Sequence, residues 1–398
     1  MSEPKTPTPA LPVSRAYLAV AVVLVALNAR PSLSTVGPVL PEALAATGLS
    51  SGEAWVLTTV PVVMLGLFGL AAPPIARRFG VERSILGLTV ILAAALALRG
   101  FGTLPALALG CALAGAAIGA ANVLLPSLIK RDFADKTAWM TGFYTMALTG
   151  GAATAAGTVV PLARATGSWA LGLAFWAIPA AVAAAAFVPV ARRATRPPAS
   201  PGLGWIWRDK LAWQVTLFMG LQSSVAYCVF AWLAPILRDR GLDPAAAGLA
   251  VSASVLIQAP VALTAPRLAA KLWKDQRPAI VIGLGLTFLG VALVLFGPTS
   301  MIWPSVLILG AGQGTVFSIA LMVIVMRARD AASAAGLSSM SQGVGYCLAA
   351  AGPLAMGWLR DLTGGWFWPG MVMLGFCVAA LLFGLSAGRA VHIGTDEP

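Results

Sequence analysis

About twelve apolar stretches, each long enough to cross a lipid bilayer, follow one another along this chain of 398 residues. A helix needs about 20 apolar residues to span the hydrocarbon core, and helices satisfy their own backbone hydrogen bonds in lipid. The chain is 59% hydrophobic and only 10% charged, whereas a soluble domain carries about 25% charged residues. The sequence therefore predicts an all-α membrane protein with twelve transmembrane helices.

A basic, proline-rich segment divides these stretches near the midpoint of the chain. The segment 191–209 contains Arg192, Arg193 and Arg196, and three prolines follow them. It predicts a linker between an N-terminal bundle at 1–190 and a C-terminal bundle at 210–398. The expected spans are 16–42, 54–76, 83–102, 104–129, 138–162, 168–190, 210–237, 244–269, 278–297, 302–326, 331–357 and 366–388.

The basic residues predict how the chain is oriented. Of the 26 Lys and Arg residues, twenty fall on the same side of the predicted membrane as the N-terminus and four on the opposite side. Loops rich in Lys and Arg stay in the cytoplasm, so both termini are expected there. The net charge of +12 is spread over short loop clusters rather than one patch, and it therefore indicates no nucleic-acid partner.

The two halves of the chain repeat each other. Residues 48–50 match residues 241–243 at an offset of 193, and residues 166–169 match residues 363–366 at an offset of 197. Four such matches in order indicate two pseudo-symmetric bundles of six helices, related by an axis along the membrane normal. Six helices plus six around a basic linker resemble the major facilitator superfamily. This resemblance implies rocker-switch alternating access around a central site.

More specific strings resemble one branch of that superfamily. The segments 27–38, 121–133 and 140–146 look like the corresponding segments of the cyanate/nitroimidazole porter family (CynX/NimT). The resemblance implies a small anion or a small polar nitrogen heterocycle as the solute, and the inner (plasma) membrane of a bacterium as the location.

Arg30 is the residue whose position most limits the function. It lies about fourteen residues into the first span, or about 21 Å by helix rise, which is past the middle of a core about 30 Å thick. A charge at this depth costs between about 3 and 10 kcal/mol unless it faces a partner or a watery cavity. No Asp or Glu lies in the middle of any predicted span. A ligand is thus expected to supply the negative charge, although a structural arginine bonded to helix carbonyls is the alternative.

Amide side chains are predicted to surround Arg30. Counted by residues from the membrane face, one Asn and four Gln lie at nearly the depth of Arg30, and an arginine ringed by amides suits a small anion or polar heterocycle. Three tyrosines and Asn122 are further candidates, with packing as the alternative role. The candidate substrate-binding residues are Arg30, Asn28, Gln222, Gln313, Gln258, Gln342, Asn122, Tyr144, Tyr227 and Tyr346.

Proline and glycine predict where the helices break. Pro31 has no N–H, so the carbonyl of Leu27 loses its helical partner and a kink is expected beside Arg30. Arg99 lies near the outer end of span three and is expected to reach water there. The candidate helix breaks and gating points are Pro31, Pro38, Pro126, Gly343 and Gly345.

Three functional classes remain to be compared. A secondary active or facilitative transporter is the first, with a small-molecule solute and the lipid bilayer as partners, a monomer as the expected state, and the coupling ion left open. A multidrug or amphiphile exporter of the same fold is the alternative, with Phe317 among the aromatics of a larger pocket. An enzyme would need clustered acid–base or metal-binding side chains at depth. None is found, so no catalytic residue, metal or cofactor is predicted.

Overall fold

The computed structural model describes residues 13–192, 195, 204–329 and 331–394. Most of the predicted linker 191–209, both chain ends and Asp330 lie outside the described residues. Within the described ranges every regular element is helical. The α-helices are α1 Arg15–Asn28, α2 Pro31–Ser34, α3 Leu40–Thr47, α4 Trp55–Thr58, α5 Val60–Phe79, α6 Val81–Leu98, α7 Leu104–Asp132, α8 Thr137–Thr166, α9 Trp169–Ala174, α10 Ala177–Phe187, α11 Lys210–Asp239, α12 Pro244–Leu256, α13 Gln258–Leu272, α14 Arg277–Phe296, α15 Ile302–Arg327, α16 Ala331–Ala349, α17 Ala351–Thr363 and α18 Phe367–Ala387.

Eleven helical segments of the described chain are long and apolar enough to cross a membrane. They match eleven of the twelve spans expected from the sequence. The twelfth, expected at 331–357, is present as α16 followed by α17. It is not among the eleven because Ser338, Ser339, Ser341 and Gln342 lower its hydropathy. Below, the inner end of the bundle is the end of Phe79 and Asp132, which the charge pattern predicts to face the cytoplasm.

The first span is broken beside Arg30. Helix α1 ends at Asn28 and α2 begins at Pro31, so Ala29 and Arg30 lie between two helices. Pro31 cannot donate a hydrogen bond to the Leu27 carbonyl. That carbonyl instead lies against Gly151 of α8, where a side chain would collide with its oxygen. The broken segment is therefore seated on a glycine of the fifth span.

Glycines bring neighbouring helices into backbone contact in the first half. Gly115 and Gly119 of α7 lie against the backbone of Pro61 and Leu65 of α5, and a Cβ at either glycine would collide with that backbone. Small residues four positions apart permit this close approach of membrane helices.

The second half repeats the same contact. Gly310 and Gly314 of α15 lie against the backbone of Ser254 and Gln258, where α12 gives way to α13. The contacted residues follow those of the first half by the same 193 positions as the sequence repeat. The two bundles thus share one packing scheme, and they meet where α8 packs along α12 and α5 packs along α16.

Candidate functional site

Arg30 projects from the break in the first span into a cavity between the two halves. The cavity has a volume of about 340 Å³, and Arg30 is half-buried at its edge. The guanidinium carbon lies 5.3 Å from the centre of the Phe317 ring of α15, which is within the range of a cation–π contact. Within the described ranges, no carboxylate forms an ion pair with Arg30.

Several of the residues expected from the sequence line this cavity together with Arg30. Asn122 of α7 and Tyr144 of α8 come from the first half, and the Tyr144 hydroxyl lies 3.5 Å from Asn122 Oδ1. The Gln342 amide nitrogen donates to the Ser338 hydroxyl at 2.8 Å. The expected residues that line the cavity are Arg30, Asn122, Tyr144, Gln258, Gln342 and Tyr346.

The cavity extends toward the inner end of the molecule. A second compartment of about 520 Å³ shares Asn122, Pro126, Ser338 and Gln342 with it. Arg77 and Trp207 line the inner part of this compartment. The site around Arg30 therefore communicates with the inner end.

A small chamber of about 30 Å³ lies beside Arg30. Gln313 and Tyr227 line it, together with Ser223, Phe230 and Phe317. The Tyr227 and Tyr346 rings meet edge to face with their centres 5.9 Å apart. On the side of the second half, Arg30 thus shares this chamber with four aromatic rings and with the amides of Gln258 and Gln313.

Two residues expected in the site lie elsewhere. Asn28 is 1% exposed, and its amide nitrogen donates to the carbonyls of Leu24 and Pro179 at 2.9 and 3.1 Å. Gln222 is 3% exposed, and its amide nitrogen donates to the Ser223 hydroxyl at 2.8 Å. Both amides are used inside their own bundles, and neither residue lines the cavity around Arg30.

The candidate gating residues differ in their surroundings. Pro31 begins α2, and Pro126 lies inside the unbroken α7 and lines the cavity. The carbonyl of Pro38 accepts a hydrogen bond from Arg238 at 3.3 Å. Helix α16 runs without interruption through Gly343 and Gly345, which pack closely on Leu70 and Gly220. The eleventh span is interrupted later, at Ala350.

The expectation that Arg99 reaches water is wrong. Arg99 is 0% exposed, and its Nη1 donates to the Ser32 carbonyl at 2.8 Å. Gly100 and Gly102 beside it are covered by Ala174 and Ala170 of α9. A residue count along span three locates the helix end but cannot show that α9 lies over it.

Polar contacts join the two halves at the outer end. Arg238 of α11 forms an ion pair with Glu42 of α3 at 2.8 Å. The backbone N–H of Gly52 donates to the Asp361 carboxylate of α17 at 2.7 Å. These contacts close the outer end above Arg30.

A third contact lies at the outer ends of α8 and α12. Arg164 forms an ion pair with Asp243 at 2.8 Å. The pKa of the Asp243 carboxyl lies below its ordinary value because Arg164 donates a hydrogen bond to it, and the N–H of Ala245 adds a second hydrogen bond. In this structure the outer end is closed and the inner end is open.

A helical membrane protein with two repeated halves around a central cavity belongs to the class of multi-pass membrane transporters. The model of the Major Facilitator Superfamily matches residues 22–350. The chain belongs to this superfamily, and it is a transporter rather than an enzyme.

Named relatives cover nearly the whole chain. The uncharacterized transporter YycB of Bacillus subtilis is 36% identical over 96% of both chains. The 2-nitroimidazole transporter of Escherichia coli is 35% identical over 96% of this chain and 97% of its own length. The cyanate transport protein CynX of Escherichia coli is 28% identical over 91% of this chain and 96% of its own.

A solved structure has the same fold. It is a bacterial homolog of the human lysosomal transporter Spinster in an inward-facing and occupied conformation. The TM-score is 0.70 at 17% sequence identity, over 94% of this chain and 92% of that chain. The resemblance to the cyanate/nitroimidazole porters that the sequence indicated is confirmed by the relatives, and the fold is confirmed by this structure.

Proposed function

We propose that this protein carries a small anionic or polar nitrogen-containing solute, such as cyanate or a nitroimidazole, and that Arg30 binds the solute's negative or electron-rich group. The single observation that carries the proposal is the guanidinium of Arg30, which lines the cavity and has no acidic partner among the described residues. A half-buried cation of this kind is stabilised when an anion enters.

The surroundings of Arg30 support a planar solute. The Arg30 guanidinium carbon lies over the Phe317 ring, and the planar fork of the guanidinium N–H groups suits two oxygens of a ligand. Tyr144 and Tyr346 supply further ring surface, and Gln258 and Gln342 supply amides that either donate or accept. A nitro group or a carboxylate on a flat ring meets each of these requirements.

The mechanism that we propose is alternating access. The open inner end and the polar contacts at the closed outer end support an inward-facing state. The excess of Lys and Arg in the loops on the side of the N-terminus supports a cytoplasmic location of both termini in a bacterial cell. Transport would then require the outer contacts to break and the inner compartment to close. The names of the two Escherichia coli relatives support the same class of solute.

A multidrug or amphiphile exporter is the second candidate. The observation that favours it is the apolar part of the cavity lining, which includes Leu148, Phe317 and Leu321. Such an exporter would bind bulky organic cations, and Arg30 would repel them. The two proposals therefore predict opposite responses to the charge of the solute.

The test is a thermal-shift panel on the purified protein, with cyanate, nitrate, small carboxylates and nitroimidazoles against bulky organic cations. A bound ligand raises the unfolding temperature because it binds the folded state alone. Arg30→Ala should remove the shift and abolish uptake into proteoliposomes, and Arg30→Lys should impair both because an ammonium cannot form the same forked contact. Arg83→Ala, an exposed arginine outside the cavity, is the control. Stabilisation by organic cations alone would reject the proposal.

A further inference from the structure

Arg99 is a completely buried arginine that the transport site does not use directly. It follows α6, in a short turn at the outer end of the third span. Its side chain is completely buried, and it crosses α7 at Gly110, where a Cβ would lie 3.0 Å from the Arg99 Cγ. The glycine in α7 therefore leaves the space that the Arg99 side chain occupies.

The hydrogen bonds of Arg99 are few for a buried cation. Nη1 donates to the Ser32 carbonyl, whereas Nε and Nη2 have no hydrogen-bond partner among the described residues. Arg327, the other buried arginine among the described residues, uses more of its donors: it donates to Ala387, Gly388 and Gln276. A charge that is buried with unused donors is costly, so the one bond that Arg99 makes is the informative one.

That bond ends on the segment that carries Arg30. Ser32 is the second residue of α2, and Arg30 is the residue that precedes this helix. Arg99 contacts the segment from inside the first bundle, while Arg30 faces the cavity on the other side. A helix of four residues has few hydrogen bonds of its own, so contacts with its neighbours must set its orientation.

We propose that Arg99 is a positioning residue: through the Ser32 carbonyl it holds the broken segment of the first span so that residue 30 faces the cavity. The inference concerns the same site as the proposed function and rests on the exposure of Arg30 there. Without this bond, the segment is free to turn and residue 30 leaves the cavity.

The experiment measures the accessibility of position 30 itself and needs no solute. Arg30→Cys is prepared in a Cys347→Ser background, because Cys111, Cys228 and Cys377 are buried and Cys347 is only half-buried. The rate of modification of the new thiol is measured with a negatively charged and a positively charged methanethiosulfonate reagent. Arg99→Met, Arg99→Lys and the control Arg327→Met, a buried arginine far along the chain that also donates to carbonyls, are then added one at a time.

Arg99→Met should slow both reagents by about ten-fold or more, the size of one hydrogen bond from a charged donor. Arg99→Lys should restore part of the rate because an ammonium also donates to a carbonyl, and Arg327→Met should leave it unchanged. If Arg99→Met does not fold, a rate for Arg99→Lys about two-fold below the parent carries the test.

Three results would overturn the proposal: parent rates with both reagents, faster reaction with both, or slowing of the negatively charged reagent alone. The last of these would mean that Arg99 acts through its charge and not through position. Because no solute is used, this experiment fails separately from the thermal-shift panel, which tests the solute class.

Discussion

The carbonyl oxygen of Leu27 lies directly against the Cα of Gly151, and no side chain can be placed between them. Pro31 frees this carbonyl from its helix because it has no N–H to donate. The contact joins the break in the first span to the fifth span, immediately before the arginine of the candidate site. A glycine in α8 is thus a condition for the conformation of α1 and α2.

Gly151→Ala should therefore destabilise the protein by about 1–3 kcal/mol, as overpacking of a close contact does, and should weaken solute binding because the broken segment is displaced. Thermal unfolding of the purified protein and the solute panel check both effects. Gly150→Ala is the matched control, since nothing lies within 4 Å of a Cβ at that position. Alanine also has the higher helix propensity, so equal unfolding temperatures for the two variants would contradict the argument.

Phe317→Leu removes the ring beside the Arg30 guanidinium. A cation–π contact is worth about 0.5–1 kcal/mol at an accessible site, so we expect the solute to bind about two- to five-fold more weakly while the protein stays folded. Phe288→Leu, at a residue that is 40% exposed on the surface of the bundle, provides the control. Identical dissociation constants for the two variants would show that Phe317 does not orient Arg30.

The sequence predicts the spans and the position of Arg30 because these depend on hydropathy and residue count alone. The sequence predicts how deep a side chain lies in the membrane better than it predicts which way around the helix the side chain points. Asn28 precedes Arg30 by two residues, which is about 200° around a helix at 3.6 residues per turn. A cavity-facing Arg30 therefore turns Asn28 into its own bundle, where it bonds to Pro179.

Other features depend on contacts that are distant in sequence. Gln222 and Ser223 are adjacent, yet only Ser223 lines the chamber beside Arg30, and the phase of α11 decides which one does. Arg99 is buried because α9 covers the turn that follows it. Phe317 follows Gln313 by four residues, which is one helical turn, and this spacing could have placed it in the same site.

The ion pair between Glu42 and Arg238 should favour the closed outer end. Its side chains are partly exposed, at 39% and 20%, so we expect a contribution of only about 0.5–1 kcal/mol. Val36 lies between α2 and α3, is 6% exposed and lines a small pocket with Phe230 and Ala231 of α11, so its accessibility reports opening of the outer end. Glu42→Gln should make Val36→Cys react about two- to five-fold faster with a membrane-impermeant maleimide, which is the factor that this free energy corresponds to.

The exchanged pair Glu42→Arg with Arg238→Glu should restore slow labelling, because it re-forms the ion pair with the charges reversed. Asp135→Asn is the control, since Asp135 pairs with Arg15 inside the first half and its loss should leave the outer end unchanged. Labelling that is equally fast in the exchanged pair and in Glu42→Gln would mean that the ion pair does not act as a latch.

The pair of Arg164 and Asp243 predicts how the outer end responds to acid. The pKa of Asp243 is held below its ordinary value of 3.8, chiefly by the hydrogen bond from Arg164. A carboxyl with a lowered pKa contributes stability above its ordinary pKa, and that contribution is lost as the pH falls through the lowered pKa. The labelling rate of Val36→Cys is divided at each pH by that of free cysteine, because thiolate reactivity falls in acid. This ratio should be independent of the pair above about pH 5 and should rise below about pH 4 as Asp243 is protonated.

Asp243→Asn isolates that effect, because Glu42 and Asp361 at the outer end also titrate in acid. The variant should label faster than the parent at neutral pH, and the difference between them should disappear as the pH falls. Asp275→Asn is the matched control: the pKa of Asp275 is lowered by Arg277 in the same way, but both residues lie at the inner end. A difference between parent and Asp243→Asn that persists unchanged in acid would contradict the role of this ion pair in closing the outer end.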